Sequence, residues 1–548
     1  MIQDRLRELL ADALAGLRRD GLLPADAEAP LELSRPARAE HGDFSTNVAL
    51  ALAGKARTSP RVLAGRLLEA LPEADWVDRV EIAGPGFINF FLTHTWLQDT
   101  IRAVATERED FGRQALGEGV RVQVEFVSAN PTGPLHVGSG RNAAYGDALA
   151  ALLEAAGFRV EREYYVNDAG RQMDLFVASL DARYRQALGQ DTGFPEEGYH
   201  GAYMVELGRQ LAEGEGDRLV GRTDDLRAWG LARMLERIAA TLDRFGVRFD
   251  SWFSEQSLFD SGRIAAALEA LEQAGHTFTQ DGAVWFRSSE FGDQRDRVLV
   301  RSDGRTTYLT SDVAYLMNKA ERGFDHAIYV WGADHHGAVP SLMAAGAALG
   351  LPIAVEVLLY QLVNLTRGGE PVRMSKRTGD IVTLDELIEE VGADAARFTF
   401  LLRSLDSTLD FDLDLVKAAS QENPVYYAQY AYARICSILR LREEQGIELM
   451  PVSTAPLERL THDSEKDLAR LLGEYPETIA VLANLRAPYR LTTFAHEVAA
   501  AFHAFYRDCR VIGEDAELTQ ARLWLAEATR QVLANILGLL GVSAPERM

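Results

Sequence analysis

The chain has 548 residues, of which 47% are hydrophobic and 25% charged, and its formal net charge at pH 7 is −24. This length exceeds what one hydrophobic core supports and indicates three or four domains of an ordinary globular protein, not a disordered one. The negative charge argues against broad, nonspecific binding of nucleic acid, although a local basic face can still contact phosphates.

The sequence also disfavours membrane, secreted and cysteine-rich classes of protein. No apolar run approaches the roughly 18 residues of a membrane span, and the N-terminus lacks the basic and apolar segments of a signal peptide. The two cysteines, Cys436 and Cys509, are too few for a disulfide framework or a cysteine-rich zinc site. We therefore expect a cytoplasmic protein.

Residues 1–95 are typical of a small, separate α+β domain. Apolar residues at helical spacing predict helices, and an apolar run interrupted by Gly84-Pro85-Gly86 predicts strand structure. The predicted elements are helices at residues 2–17, 48–56 and 62–71, and a broken strand at 80–92. A connecting helix is predicted at 96–112. These patterns alone indicate no function.

Residues 120–170 have the order strand, turn-rich loop, helix, strand. Apolar and polar residues alternate from Val120 to Phe126, a helix is predicted at 143–156, and a second strand at 160–166. This order is typical of the first unit of a doubly wound α/β sheet, whose ligands bind at the carboxyl ends of the strands. His136 lies at that end, beside a helix N-terminus whose free N–H groups can bind phosphate.

The α/β pattern continues to about residue 390, with a helical insertion predicted at about 172–249 because three helical patterns occur where one crossover would suffice. The predicted helices are 173–188, 204–211, 226–245 and 313–322, and the strands are 283–286, 298–301, 326–331 and 355–365, with a hairpin turn at 302–305.

From residue 391 to 548 the sequence predicts an all-α domain, because apolar stripes recur at 3.6-residue spacing. The predicted helices around and within it are 384–391, 395–402, 413–421, 424–442, 467–485, 491–509 and 516–540.

Two loops are candidates for chemistry, and each is ambiguous alone. Gly138-Ser139-Gly140 fits the loose dinucleotide pattern G-x-G-x-x-A, which keeps a nicotinamide-dependent oxidoreductase as an alternative. The long loop before these glycines, and the lack of a second such unit, count against it. His136 alone is equally well explained as an ordinary loop histidine.

The second loop places three cations, Arg373, Lys376 and Arg377, around Met374 and Ser375. Taken alone it is most simply a solvated turn. A loop of this kind can also fold over a triphosphate and stabilise charge that develops there.

Together the two loops resemble the signatures of class I aminoacyl-tRNA synthetases. Leu135-His136-Val137-Gly138 resembles their HIGH motif, and the loop from Arg373 to Arg377 resembles KMSKS. Longer strings resemble arginyl-tRNA synthetases over essentially the whole chain, at residues 124–147, 164–170, 308–312, 329–337, 394–403, 504–509 and 540–548.

This resemblance implies a class I Rossmann-like α/β catalytic core at 96–390 with the helical insertion, a small α+β N-terminal domain that contacts tRNA, and an all-α anticodon-binding domain. It implies joining of L-arginine to ATP, giving arginyl-adenylate and pyrophosphate, and then transfer of arginine to its tRNA with release of AMP. ATP would bring Mg²⁺ without a dedicated protein cage for the metal. We expect catalysis by positioning and electrostatics, no membrane association, and a monomer.

The resemblance also assigns ATP-binding positions, among which His136 and Lys376 are expected to be catalytic. Ser139 stands where the signature has its second histidine, which reduces a phosphate contact to a neutral hydroxyl. Arg373 replaces the usual first lysine of the second loop and keeps its charge. The ATP-binding positions are Pro134, His136, Gly138, Ser139, Asp334, His335, Met374, Ser375 and Lys376.

Four positions match those that contact arginine in the family: Glu125, Asn130, Tyr308 and Asp312. Two carboxylates among them suit a guanidinium and an α-amino group. Without the resemblance, Asp312 is more simply a helix N-cap, and Glu125 a solvated residue of an edge strand.

Positions expected to contact tRNA are distributed over both ends of the chain. Phe87 can stack on a base. Tyr430 belongs to a tyrosine-rich helical stripe, which without the resemblance is more typical of a hydrophobic core. The assigned positions are Phe87, Asn89, Tyr430, Arg434 and Met548. A catalytically silent tRNA-binding relative remains an alternative, which arginine-dependent aminoacylation would separate from an active enzyme.

Overall fold

The computed structural model describes residues 2–36, 38–372, 382–418, 420 and 422–548. The chain forms two compact units. The first consists of Met1–Phe111, Ile438–Tyr475 and Ala501–Val532, and the second of Gly112–Ser437, Pro476–Ala500 and Leu533–Met548. No helix within the described ranges is long and apolar enough to cross a membrane.

The N-terminal part of the first unit is an antiparallel sheet, with strand order β1-β3-β2, accompanied by helices. Leu6, Leu10 and Leu14 are buried along one side of the first helix, as their spacing predicts. The turn between β2 and β3 falls at Gly84–Gly86, which confirms the predicted interruption of the apolar run. The elements are α1 (Ile2–Arg19), β1 (Phe44–Thr46), α2 (Val48–Ala53), α3 (Pro60–Ala70), β2 (Val77–Ala83), β3 (Phe87–Leu92) and α4 (Thr95–Glu107).

A parallel sheet with strand order β11-β10-β4-β5-β6 organises the second unit. Its elements, in chain order, are β4 (Arg121–Glu125), α5 (Val137–Ala155), β5 (Arg159–Val166), α6 (Arg171–Ala187), α7 (Ala202–Glu215), α8 (Thr223–Arg244), β6 (Ser251–Ser254), α9 (Gln256–Asp260), α10 (Arg263–Gln273), β7 (Thr277–Gln280), β8 (Ala283–Phe286), β9 (Arg297–Val300), α11 (Tyr308–Glu321), β10 (His326–Gly332), α12 (Val339–Ala348) and β11 (Ala354–Tyr360). Because β4 has a neighbour on each side, residues at its carboxyl end are flanked by the ends of β5 and β10.

The helices α6, α7 and α8 lie between β5 and β6, where the sequence predicts an insertion. They bury a core of their own that includes Phe176, Leu180, Met204 and Met234. The strands β7, β8 and β9 form a separate antiparallel sheet, so the two strands predicted at 283–286 and 298–301 do not extend the parallel one.

After β11 the chain forms a small mixed sheet, with order β13-β12-β14, and then helices. The elements are β12 (Val363–Arg367), β13 (Glu370–Pro371), α13 (Leu384–Val391), α14 (Ala393–Phe400), β14 (Leu409–Asp412), α15 (Leu413–Lys417), α16 (Pro424–Glu444), α17 (Asp463–Asn484), α18 (Arg490–Asp508) and α19 (Ala516–Leu539).

Several element predictions are wrong in their bounds. The apolar run 355–365 is two strands in different sheets, because the chain leaves the parallel sheet where the N–H of Gln361 donates to the carbonyl of Leu405 at 2.8 Å. The helix predicted at 413–421 ends at Lys417. Helix α5 starts at Val137 instead of residue 143, which places the signature glycines inside a helix.

Candidate active site

Helix α5 begins at the first signature, with His136 as its N-cap. The His136 Nδ1 atom accepts hydrogen bonds from the backbone N–H groups of Gly138, at 3.1 Å, and Ser139, at 3.4 Å. The N–H groups that we expected to be free for phosphate are thus engaged by the imidazole. Accepting at Nδ1 leaves the proton of a neutral ring on Nε2.

The glycines of α5 permit close packing of the helix. A Cβ atom at Gly140 would lie 2.8 Å from Leu384 Cδ1, and one at Gly146 only 2.2 Å from Phe126 Cγ. Gly138 and Gly140 are therefore part of a packed helix and not of a dinucleotide-binding turn between strand and helix. This arrangement disfavours the oxidoreductase alternative.

The backbone after β4 is strained next to the candidate arginine-binding residue Glu125. Val127 and Ser128 have φ angles of 64° and 40°, in the left-handed region that residues other than glycine rarely adopt. Asn142 of α5 holds this turn, because its Oδ1 accepts from the Val127 N–H at 2.9 Å while its Nδ2 donates to the Val330 carbonyl at 2.9 Å. The two hydrogen bonds of Asn142 thus hold the end of β4 against α5 and β10.

Glu125 lies on an interior strand of the parallel sheet and is 4% exposed. Its Oε2 pairs with Lys319 Nζ at 3.1 Å, and its Oε1 accepts from Ser128 Oγ at 3.1 Å. The alternative explanation of Glu125 as a solvated edge-strand residue is therefore wrong. The alternation of polar and apolar residues along β4 predicts one solvent-exposed face, but Gln123 on that face is also fully buried.

Asp312 lies one turn into α11, whose N-cap is Thr307, so the N-cap explanation of Asp312 is also wrong. The pKa of its carboxyl group is raised from 3.8 to about 7, first by burial and then by the carboxylates of Glu125 and Glu255. Lys319 opposes this rise but does not cancel it. The pocket therefore holds more potential negative charge than its own cation balances.

Glu255 and Asp168 extend this acidic pocket and were not singled out from the sequence. Glu255 is 5% exposed, and burial, followed by Asp168, raises the pKa of its carboxyl group. Asp168 is held by Ser254 Oγ at 2.6 Å and by the backbone N–H of Gln256 at 2.8 Å. Both residues follow parallel strands, β6 and β5, whose carboxyl ends lie at the same edge as that of β4. Their position directly after these strands is the feature of the sequence from which both residues could have been predicted.

The remaining candidates for small-molecule binding lie around this edge. Tyr308, the first residue of α11, is 69% exposed. Asn130 donates from Nδ2 to Gln172 Oε1 at 2.7 Å. Asp334 and His335 are exposed in a short 3₁₀ helix directly after β10, with His335 Nε2 and Asp334 Oδ2 3.7 Å apart. Pro134 is partly buried in the loop before α5.

Met374, Ser375 and Lys376, with Arg373 and Arg377, lie outside the described residues. The chain that follows them returns to the first signature. Thr383 forms a β-bridge with His136, and the Leu384 N–H donates to the Leu135 carbonyl at 2.8 Å. Thr383 also caps α13 through a capping box with Glu386. The described chain thus places Thr383 and Leu384, six and seven residues after Arg377 in the sequence, beside His136 and Leu135.

The residues expected to contact tRNA lie apart from this pocket in sequence. In β3, Phe87 is 40% exposed while Asn89 is only 4% exposed, so the ring is the accessible one of the two. On α16, Arg434 donates to the hydroxyl of Tyr430, whose ring stacks on Tyr426 with centroids 5.9 Å apart. Met548 is 56% exposed.

Among the described residues, no group of three or more His, Cys, Asp or Glu side chains is arranged so that it could hold a metal ion.

Models of protein families match most of the chain. Residues 4–92 match the arginyl tRNA synthetase N terminal domain, and residues 428–548 match the DALR anticodon binding domain. Residues 100–400, more than half of the chain, match the catalytic domain of the class I (R) tRNA synthetases. The chain belongs to the arginyl-tRNA synthetase family. The expected fold class and enzyme class are thereby confirmed.

Individual relatives agree with this membership of the arginyl-tRNA synthetases. An arginine–tRNA ligase of Moorella thermoacetica is 50% identical over 552 residues, which cover 99% of this chain and 98% of the relative. One of Halorhodospira halophila is 49% identical over 577 residues, covering 98% and 99%. The solved structure of Thermus thermophilus arginyl-tRNA synthetase, 24% identical with a TM-score of 0.78 over 100% of both chains, shares the fold.

Proposed function

We propose that this chain ligates L-arginine to its tRNA through arginyl-adenylate, using ATP and releasing pyrophosphate and AMP. The observation that carries the proposal is the acidic pocket beside the N-terminus of α5. Lys319 forms an ion pair with Glu125. Neither Asp312 nor Glu255 forms an ion pair with a described residue. A pocket with buried carboxylates in excess favours a ligand that brings positive charge.

Arginine fits this excess better than a neutral or acidic amino acid. Its guanidinium has five donors in a plane and stays protonated at all relevant pH values. Asp312 and Glu125 would accept from its cationic groups, Tyr308 would close over the side chain from the start of α11, and Asn130 would bind from the loop after β4.

ATP would lie at the N-terminal end of α5, where attack by the arginine carboxylate on the α-phosphorus requires neutralisation of phosphate charge. His136 Nε2–H can donate to a phosphate oxygen while Nδ1 remains the helix cap. Lys376 would stabilise the departing pyrophosphate, and Asp334 with His335 would hold the adenosine. Pro134, Gly138, Ser139, Met374 and Ser375 complete the ATP positions.

Mg²⁺ would enter bound to ATP and not in a metal site of the protein. We also propose that the protein is a monomer that acts in the cytoplasm. The residues that would contact tRNA are Phe87, Asn89, Tyr430, Arg434 and Met548.

The direct test is aminoacylation of a tRNA for arginine by the purified protein, in the presence and absence of each substrate. Charging that requires both arginine and ATP supports the proposal, whereas tRNA binding without charging would identify a silent relative. Asp312→Asn removes an acceptor from the pocket, so we expect the arginine KM to rise with little change in the ATP KM. An unchanged arginine KM would contradict the role of Asp312.

Lys376→Ala tests the second signature. If Lys376 stabilises the leaving pyrophosphate, its removal lowers the charging rate by about two orders of magnitude or more, as found for loss of one preorganised electrostatic contact. The arginine KM measured alongside reports whether the arginine pocket is intact. A turnover rate near that of the wild type would show that Lys376 does not stabilise the leaving pyrophosphate.

A further inference from the structure

One face of α11 connects the arginine pocket to the buried centre of the sheet. Tyr308 and Asp312 lie at its pocket end, and Tyr315, Lys319 and Arg322 follow at spacings of three and four residues. Residues at such spacing share one side of a helix. The position of the two pocket residues therefore depends on what the inner three contact.

Lys319 is fully buried, which is costly for a charged group unless it is paired. Its Nζ lies 3.1 Å from Glu125 Oε2, and it lies 4.2 Å from the ring centroid of Tyr315 and 3.7 Å from that of Tyr329. Aromatic faces attract cations, most strongly where water is excluded. A carboxylate on one side and two rings leave the ammonium group little freedom to move.

Glu163, the other buried carboxylate near Lys319, has partners of its own. The Tyr315 hydroxyl donates to its Oε1 at 2.5 Å, and Arg322 Nη1 lies 2.7 Å from its Oε2. Arg322 also pairs with Glu161. The charge of Lys319 is thus directed mainly to Glu125.

Both oxygens of Glu125 are consequently fixed, one by Lys319 and the other by Ser128. A carboxylate has about four acceptor positions, so two protein contacts still leave room for donors of a ligand. The two contacts determine where those remaining positions point.

We propose that Lys319 is a positioning residue for arginine recognition, which orients the Glu125 carboxylate for the substrate. It does not itself touch the substrate. This inference rests on the proposed function, specifically on binding of arginine by Glu125.

Lys319→Arg is the conservative variant, because it keeps the positive charge but cannot place a planar guanidinium where the ammonium lies between two rings. We expect a rise of about tenfold in the arginine KM, with kcat and the ATP KM changed by less than about threefold. Lys319→Met, which also loses the charge, should raise the arginine KM further. Lys417→Met is the control substitution, because Lys417 is exposed and pairs with Glu390 in the same unit.

Lys319→Met leaves Glu125 buried without its cation, which can prevent folding. The double variant Glu125→Gln/Lys319→Met removes both charges of the pair and keeps the test decisive. If Lys319 acts through Glu125, the double variant has the same arginine KM as Glu125→Gln alone, within about twofold. Independent action predicts a further rise of about tenfold in the double variant.

The outcomes separate this inference from the proposed function. Absence of arginine-dependent charging by the unaltered protein would contradict the proposed function, and an unchanged arginine KM in Glu125→Gln would contradict only the arginine contact assigned to Glu125. A raised KM in Glu125→Gln, together with a wild-type KM in Lys319→Arg, would overturn the role of Lys319 alone. A further rise in the double variant would do the same.

Discussion

The carboxyl group of Asp312 has a pKa of about 7 because burial and the carboxylates of Glu125 and Glu255 disfavour its charge. Between its ordinary value of 3.8 and pH 7, the folded protein holds a proton that the unfolded chain has lost. The stability contributed by this group is therefore fully present below about pH 4 and is lost as the pH rises through 7. A bound guanidinium favours the ionised form and reverses this cost.

We accordingly expect arginine to bind more tightly as the pH rises from 6 to 8, with an apparent affinity about tenfold lower at pH 6 than above the pKa. Binding near pH 7 should release a proton, which calorimetry in buffers of different ionisation enthalpy measures. Asp312→Asn should abolish most of the pH dependence, and any part that remains would come from Glu255. An arginine affinity independent of pH between 6 and 8 would contradict the assignment of Asp312.

At the scale of the element, α5 determines where β4 ends, because Gly146 packs directly on Phe126, the neighbour of Glu125. Gly146→Ala would place a Cβ atom 2.2 Å from Phe126 Cγ and force the ring and its strand to shift. We expect the free energy of unfolding to fall by about 1–3 kcal/mol, as for overpacked cores, and the arginine KM to rise. Urea denaturation and charging kinetics measure the two effects.

Gly65→Ala is the matched control, because Gly65 lies inside α3 and a Cβ atom there meets nothing within 4 Å. Alanine loses less backbone conformational entropy on folding than glycine does, so this substitution should raise the free energy of unfolding by about 0.5–1 kcal/mol. The charging kinetics should not change. If both substitutions behave alike, the close contact between α5 and β4 does not control the pocket.

The bounds of α5 also show how far local sequence patterns predict the site. Periodicity and the signature strings placed strand β4, the helix and His136, and the family resemblance selected Glu125 and Asp312. The pattern placed Gly138 to Asn142 in a loop because glycine disfavours helices. Packing of Gly140 against Leu384 and Phe400, which are distant in sequence, favours the helix instead. Tertiary contacts of this kind leave no local trace.

The same limit explains why Lys319 and Glu255 were not predicted. Lys319 occupies a regular position of α11, but its burial depends on Glu125, 194 residues away in the sequence. Glu255 follows β6, a strand too short to stand out by alternation. The available signal for Lys319 was the regular spacing of polar and aromatic residues from Tyr308 to Arg322, which becomes informative only once the opposing strands are known.

Across the whole second unit, Arg397 joins segments that are hundreds of residues apart. Its side chain is 1% exposed and donates to Asp147 Oδ2 at 2.5 Å, to the Phe245 carbonyl at 3.0 Å and to the Leu540 carbonyl at 3.1 Å. Helix α5, the end of α8, helix α14 and the segment after α19 therefore meet at one guanidinium. The planar fork of arginine suits this task, since one rigid group serves several acceptors.

Arg397→Met should lower the free energy of unfolding by about 3–5 kcal/mol, because it leaves buried carbonyl groups without donors and removes one cation from Asp147. Asp147 still accepts a hydrogen bond from Arg162, whose Nε lies 3.3 Å from Asp147 Oδ1. Most of the effect therefore comes from the carbonyl groups that lose their donor. Arg209→Met, which removes an exposed arginine that pairs with Glu206, should leave the free energy of unfolding nearly unchanged, because surface ion pairs contribute little to stability. Urea titration of both variants measures the difference, and near-equal values would show that Arg397 does not hold these segments together.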